Sequence, residues 1–154
     1  MLPFLYNILV TLHIMGAIFG LGGSFAMPKI MKAKRTIAHA EFVHSFFPAV
    51  EKSAKIGSLT LAATGLLMGA INPSLFTQIW FITSIVIYIA VQPIVASILP
   101  KKAKAQQEIL SSHSDKNKPL PEEYITIGKD IAKYDRIMLI AAVVLVLLMT
   151  FKPF

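Results

Sequence analysis

Three stretches of this chain carry no charged residue: Leu2 to Pro28, Ile56 to Pro100 and Ile137 to Phe151. A helix that crosses the hydrocarbon core of a bilayer needs about 20 apolar residues, with a range of roughly 17–25. The first run therefore supplies one span. The second supplies two, because Asn72-Pro73-Ser74 breaks it with turn chemistry. The third is short, but Tyr134 to Arg136 extend it at one end and Lys152 reaches back to the interface at the other.

The expected fold is an all-α, four-helix transmembrane bundle forming one integral membrane domain over residues 1–154. Its spans fall at about 3–27, 54–71, 76–99 and 135–152. With 55% hydrophobic and only 15% charged residues, the chain is far too apolar for a soluble domain, where about a quarter of residues are charged. No basic segment precedes the first run and no small-residue cleavage site follows it. It is expected to remain as a span and not as a cleaved leader.

The placement of charge sets the orientation. The segment between the first two spans holds Lys29, Lys32, Lys34, Arg35, Lys52 and Lys55. The segment between the third and fourth holds Lys101, Lys102, Lys104, Lys116, Lys118, Lys129, Lys133 and Arg136, while the opposite side has only Lys152. By the positive-inside rule both long loops are cytoplasmic and both termini external, in a multi-pass protein of the cell membrane. The net charge of +7 is thus a topology signal, with anionic lipid contact, and not a nucleic-acid footprint. The bilayer is the expected partner, with self-association through glycine faces.

Each long loop is expected to hold a cytoplasmic amphipathic helix. In the first, Ile37, Ala40, His44, Phe47 and Glu51 recur at helical spacing, either as an interfacial helix or as an extension of the second span, with Pro48 imposing a bend or break. In the second, Ser111 to Pro121 is polar and proline-broken and reads as a mobile loop. Tyr124 to Arg136 reads as a helix leading into the membrane.

Without cysteine, disulfides, zinc–thiolate sites and iron–sulfur clusters are excluded. No P-loop, catalytic triad or intramembrane carboxylate pair is present. What remains is His13, the one strongly ionisable side chain inside a predicted hydrocarbon core, and such groups mark function by default. At 100° per residue, Tyr6, His13, Gly16, Gly20, Ser24 and Met27 share a face. Small residues at that spacing admit either a second helix or a flat ligand. One reading makes His13 an axial ligand of b-type haem lying against Gly16 and Gly20, completed by His44 or by the thioether of Met68. The other makes it interhelical glue, bonded to a Ser, Thr or Tyr. A copper reading rests on Met27 and Met31, one turn apart. His39 and His113 read as solvated loop residues. In the third span Ser84, Tyr88 and Gln92 form a polar stripe and Pro93 a kink point. Gly65 and Gly69, with Thr64 and Met68, mark the second span.

The first-span pattern LH-x-x-GA-x-x-x-x-GG resembles a group of small four-helix membrane proteins, the CopD/HemJ-like group. It joins copper-resistance and haem-biosynthetic proteins to a large uncharacterised set of predicted integral membrane proteins. "EKSAKIGSLTLAATGLLM" is similar to the second span of that set, and the ending "FKPF" to HemJ-type termini. The resemblance implies that His13 is a haem-associated histidine. HemJ-type proteins also carry a third-span lysine, which Phe76 to Leu99 lacks, and this speaks against protoporphyrinogen oxidase activity while leaving haem binding open.

Overall fold

The computed structural model describes residues 2–32 and 35–153, and the side chains of these except Leu2, Ser24, Phe25, Pro28 and Lys32. Ser24, expected on the His13 face, and Lys32 and Lys34, counted in the first loop, therefore lie outside the described side chains. The described residues form the helices α1 (Leu2–Lys32), α2 (Ile37–Ser45), α3 (Phe47–Ile71), α4 (Ile79–Pro93), α5 (Leu99–Ser111) and α6 (Glu122–Phe151). A 3₁₀ turn at Pro73–Thr77 joins α3 to α4, and a π turn at Ile94–Ile98 joins α4 to α5.

Local chemistry explains the boundaries. Thr36 caps α2, its hydroxyl accepting from the His39 N–H at 3.3 Å. Pro48 sits in the first turn of α3, where a missing N–H costs nothing, so the expected break separates α2 from α3. Asn72 precedes Pro73, which disfavours helix at residue 72 and stops α3. Pro93 cannot donate to the helix ladder, and the π turn that follows absorbs the disruption. At the other end of the chain α6 opens with Glu122 and Glu123 against its positive N-terminus and closes on Lys152 in the left-handed region, followed by Pro153.

Four helical stretches are long and apolar enough to cross a membrane: 3–23, 37–71, 79–111 and 122–151. The last three run past the expected limits at 54, 99 and 135, because charged turns continue the same helices, while the first stops at residue 23. Helix α3 itself begins at Phe47, ahead of the apolar run expected from about residue 54, since Glu51, Lys52 and Lys55 lie within it. The helix expected over Tyr124 to Arg136 and the fourth span are one unbroken helix.

The outer surface of the bundle is apolar. Phe4, Ile18, Leu59, Ile89 and Val146 are all more than half exposed, a distribution that suits lipid as solvent. Inside, α1 and α3 form the most extensive pair, running antiparallel. α6 packs on both α4 and α1, and α5 packs on α6. At the end bearing the short turn, Gly69 leaves room for the Phe76 and Phe81 rings, and Lys152 Nζ lies 5.8 Å from the centre of the Trp80 ring.

At the charged end the two long loops meet. Ile37, Ala40, Leu110 and Tyr124 form a small buried core, with Ile109 and Leu120 packed against it. An antiparallel bridge pairs Thr36 with Pro119, the Ile37 and Ala38 N–H groups donate to the Lys118 and Lys116 carbonyls at 3.1 and 2.9 Å, and Lys116 pairs with Glu41. The Ser111–Pro121 segment read as a mobile loop is therefore fastened to the start of α2. Polar composition reported its lack of periodicity but not its hydrogen-bond partners.

Candidate functional site

His13 sits midway along α1 and is half-buried against α3. Its Nδ1 lies 2.8 Å from Thr64 Oγ1. The Thr64 hydroxyl has a single proton, directed at the Thr60 carbonyl at 2.6 Å, with the Leu61 carbonyl at 3.3 Å. A hydroxyl that donates to its own helix can only accept from the imidazole, so Nδ1 carries the proton and Nε2 the lone pair. That is the tautomer a ligating histidine adopts when a neighbouring group accepts from its other nitrogen. It is equally the tautomer of a histidine that only ties two helices together.

The glycine face decides how much room surrounds this histidine. A Cβ on Gly16 would lie 3.1 Å from Thr60 Cβ, one on Gly20 would lie 3.4 Å from the Gly57 carbonyl carbon, and one on Gly57 would overlap the Gly20 backbone. Val50 fills the space beside Gly23. On α3, Gly65 presents a bare backbone to the imidazole, with its missing Cβ 3.5 Å from His13 Cε1. The groove that the glycines open on α1 thus receives helix α3. A porphyrin does not fit between these two backbones.

The other residues expected to complete a ligand set are not gathered here. His44 is buried at the charged end, its Nε2 3.0 Å from the Tyr124 hydroxyl and its ring 4.3 Å from that of Phe47. His13 is level with Thr64, and helical rise from Phe47 to Thr64 separates the two histidines by about 25 Å along α3. One iron cannot take both. Met68 lies one turn beyond Thr64 on the same face of α3, half-buried. Met27 and Met31 are about four and five turns from His13 on α1. Among the described residues no group of three or more His, Asp or Glu side chains is placed to hold a metal ion.

Tyr124 lies outside the charge-free Ile137–Phe151 run, and burial pushes its phenol above the ordinary value, so it keeps its proton. His113 Nδ1 bonds to the Ile109 carbonyl at 2.8 Å, and His39 is exposed. The polar stripe of α4 has specific partners. Ser84 donates to the Trp80 carbonyl at 2.8 Å, Tyr88 donates to the Ser58 carbonyl at 3.0 Å, and Gln92 Nε2 reaches Ser58 Oγ at 3.4 Å. Ser58 and Gly57 went unremarked in the sequence. Their signal was a Gly-Ser pair just inside the second apolar run, four positions short of a second small residue on the same face.

This chain belongs to the DUF2269 family of predicted integral membrane proteins, whose profile matches residues 7–153. The match bears out the expectation of an uncharacterised family of predicted integral membrane proteins. No curated protein and no solved structure matches the chain.

Proposed function

We propose that this family member works as a non-enzymatic multi-pass bundle of the cell membrane, a structural or transport component in which His13 is an interhelical contact. The observation that carries this reading is the closed α1–α3 interface. His13 Nδ1 is engaged by Thr64, and the adjoining glycines are filled by the α3 backbone. Because that face is used within one chain, we place no homo-oligomer contact on it. The distribution of Lys and Arg supports cytoplasmic loops and external termini.

A second reading, b-type haem in redox or haem handling, draws on the Nδ1–H tautomer, which leaves Nε2 with a lone pair. Its place would be outside the α1–α3 groove, on the side of the half-buried His13 ring away from Thr64 and Gly65. His44 is too distant to complete it, which leaves Met68 or a ligand from outside the chain. Copper passage has no comparable support, since Met27 and Met31 stand apart from His13.

Absorption spectroscopy of the detergent-purified protein, followed by haemin titration, separates the two readings. A colourless protein that takes up no haemin supports the structural reading. A sharp Soret band that disappears in His13→Ala overturns it in favour of haem.

A further inference from the structure

Along α6, Lys129, Lys133 and Arg136 are exposed and fall within about 80° of one another and of Ile140, Val144, Leu147 and Phe151 at 100° per residue. The four apolar members are exposed too, at 58%, 37%, 48% and 74%. The same helix turns a different side to its neighbours. Tyr124 and Gly128 face α5, where the Tyr124 carbonyl accepts from Gln106 Nε2 at 3.0 Å. One uninterrupted outer stripe is therefore cationic for two turns and apolar for the next three to four.

The lengths suit a lipid of one leaflet. Ile140 to Leu147 covers about 10 Å by helical rise, within the roughly 15 Å of half a 30 Å hydrocarbon core, and the rest of α6 to Phe151 continues toward the far side. Arg136 stands at the edge of the charge-free run, and Lys133 and Lys129 stand about 4.5 and 10 Å further out, at headgroup depth. The charge is also available. Lys133 shares Asp130 with Lys102, at 3.4 and 3.0 Å, while Lys129 and Arg136 have no carboxylate partner among the described residues.

From this we infer that the outer stripe of α6 is a binding site for an anionic phospholipid. Its phosphate is held by Lys129, Lys133 and Arg136, and an acyl chain lies along Ile140, Val144 and Leu147. Arg136 supplies the planar fork that suits a phosphate, and the two lysines add mobile point charges above it. The inference rests on the membrane reading alone and is independent of what His13 does.

The full chain, purified in mild detergent and incubated with phosphatidylglycerol or phosphatidylcholine, provides the test, with retained lipid counted by mass spectrometry after washing. The wild type is expected to retain phosphatidylglycerol preferentially. A Lys129→Gln/Lys133→Gln/Arg136→Gln variant is expected to lose roughly tenfold or more of it, since each cation near an anionic surface contributes separately. Lys52→Gln/Lys55→Gln/Lys104→Gln removes the same charge from α3 and α5, and because those side chains stand on other helices and not on the α6 stripe it should change retention less, by about twofold or under. Equal loss in both variants, or loss in neither, overturns the site. Leu147→Cys adds an independent check in this cysteine-free chain. Quantitative disulfide dimerisation through that residue would show that a second copy covers the stripe, and would also overturn the inference.

Discussion

Gly57 on α3 lies against the Gly20 backbone on α1, so closely that a Cβ on Gly57 would overlap it. Two residues 37 positions apart in sequence thus set the distance between the two most extensively paired helices. In lipid, where no hydrophobic effect drives helices together, such close approach is what holds a pair.

Gly57→Leu and Gly20→Leu should therefore lower stability by about 1–3 kcal/mol, the usual cost of overpacking a closed interface. Gly22→Ala should be close to neutral, because nothing lies within 4 Å of the added Cβ. Thermal unfolding in detergent measures all three. A Gly57→Leu protein with the wild-type midpoint would mean that α1 and α3 do not meet as described.

The His13–Thr64 bond should show as a coupling in a double-mutant cycle of His13→Ala and Thr64→Val. Interhelical hydrogen bonds in membranes average about 0.6 kcal/mol and reach about 1.7 kcal/mol, so a coupling in that range is expected. Strictly additive effects would mean that the two side chains act independently.

Orientation has its own measurement. Single cysteines at Ser112 and Ser74, tested in intact cells with an impermeant thiol reagent, should label at Ser74 only. The reverse pattern would place the cationic loops outside and contradict the positive-inside assignment.

The fastening between the loops should be measurable as protection. Tyr124→Phe removes the hydroxyl from His44 Nε2, at a cost of about 1 kcal/mol for a buried hydrogen bond. Limited proteolysis is then expected to cleave the 112–121 segment faster than in the wild type. An unchanged rate would show that the backbone bridge at Thr36 and Pro119 suffices without the His44–Tyr124 contact.

The number of spans was legible because absence of charge is a property of contiguous sequence. Where the helices begin was not, since a charged turn such as Glu51 to Lys55 ends an apolar run without ending the helix. His13 was legible as an anomaly, and a hydroxyl on another helix was one of the two kinds of partner its sequence suggested. Which hydroxyl was hidden, because Thr64 is 51 residues away and only the crossing of α1 and α3 brings it near. The glycine face announced close approach, but a row of small residues looks the same whether it receives a helix or a flat ring. The bridge from Thr36 to Pro119 left no trace in either segment, since a single backbone pairing has no periodicity to read.

That bridge also imposes an order on assembly. The α1–α3 pair has all its residues once the chain has been made as far as Ile71. The small core of Ile37, Ala40, Leu110 and Tyr124 must wait for the ribosome to pass residue 124. Until then Ile37 and Ala40 lack the partners that bury them, and chains grow from the N-terminus at about 5–20 residues per second. Closing this small core is thus among the last long-range steps of biogenesis, and it is completed only after α4 and α5 have been synthesised.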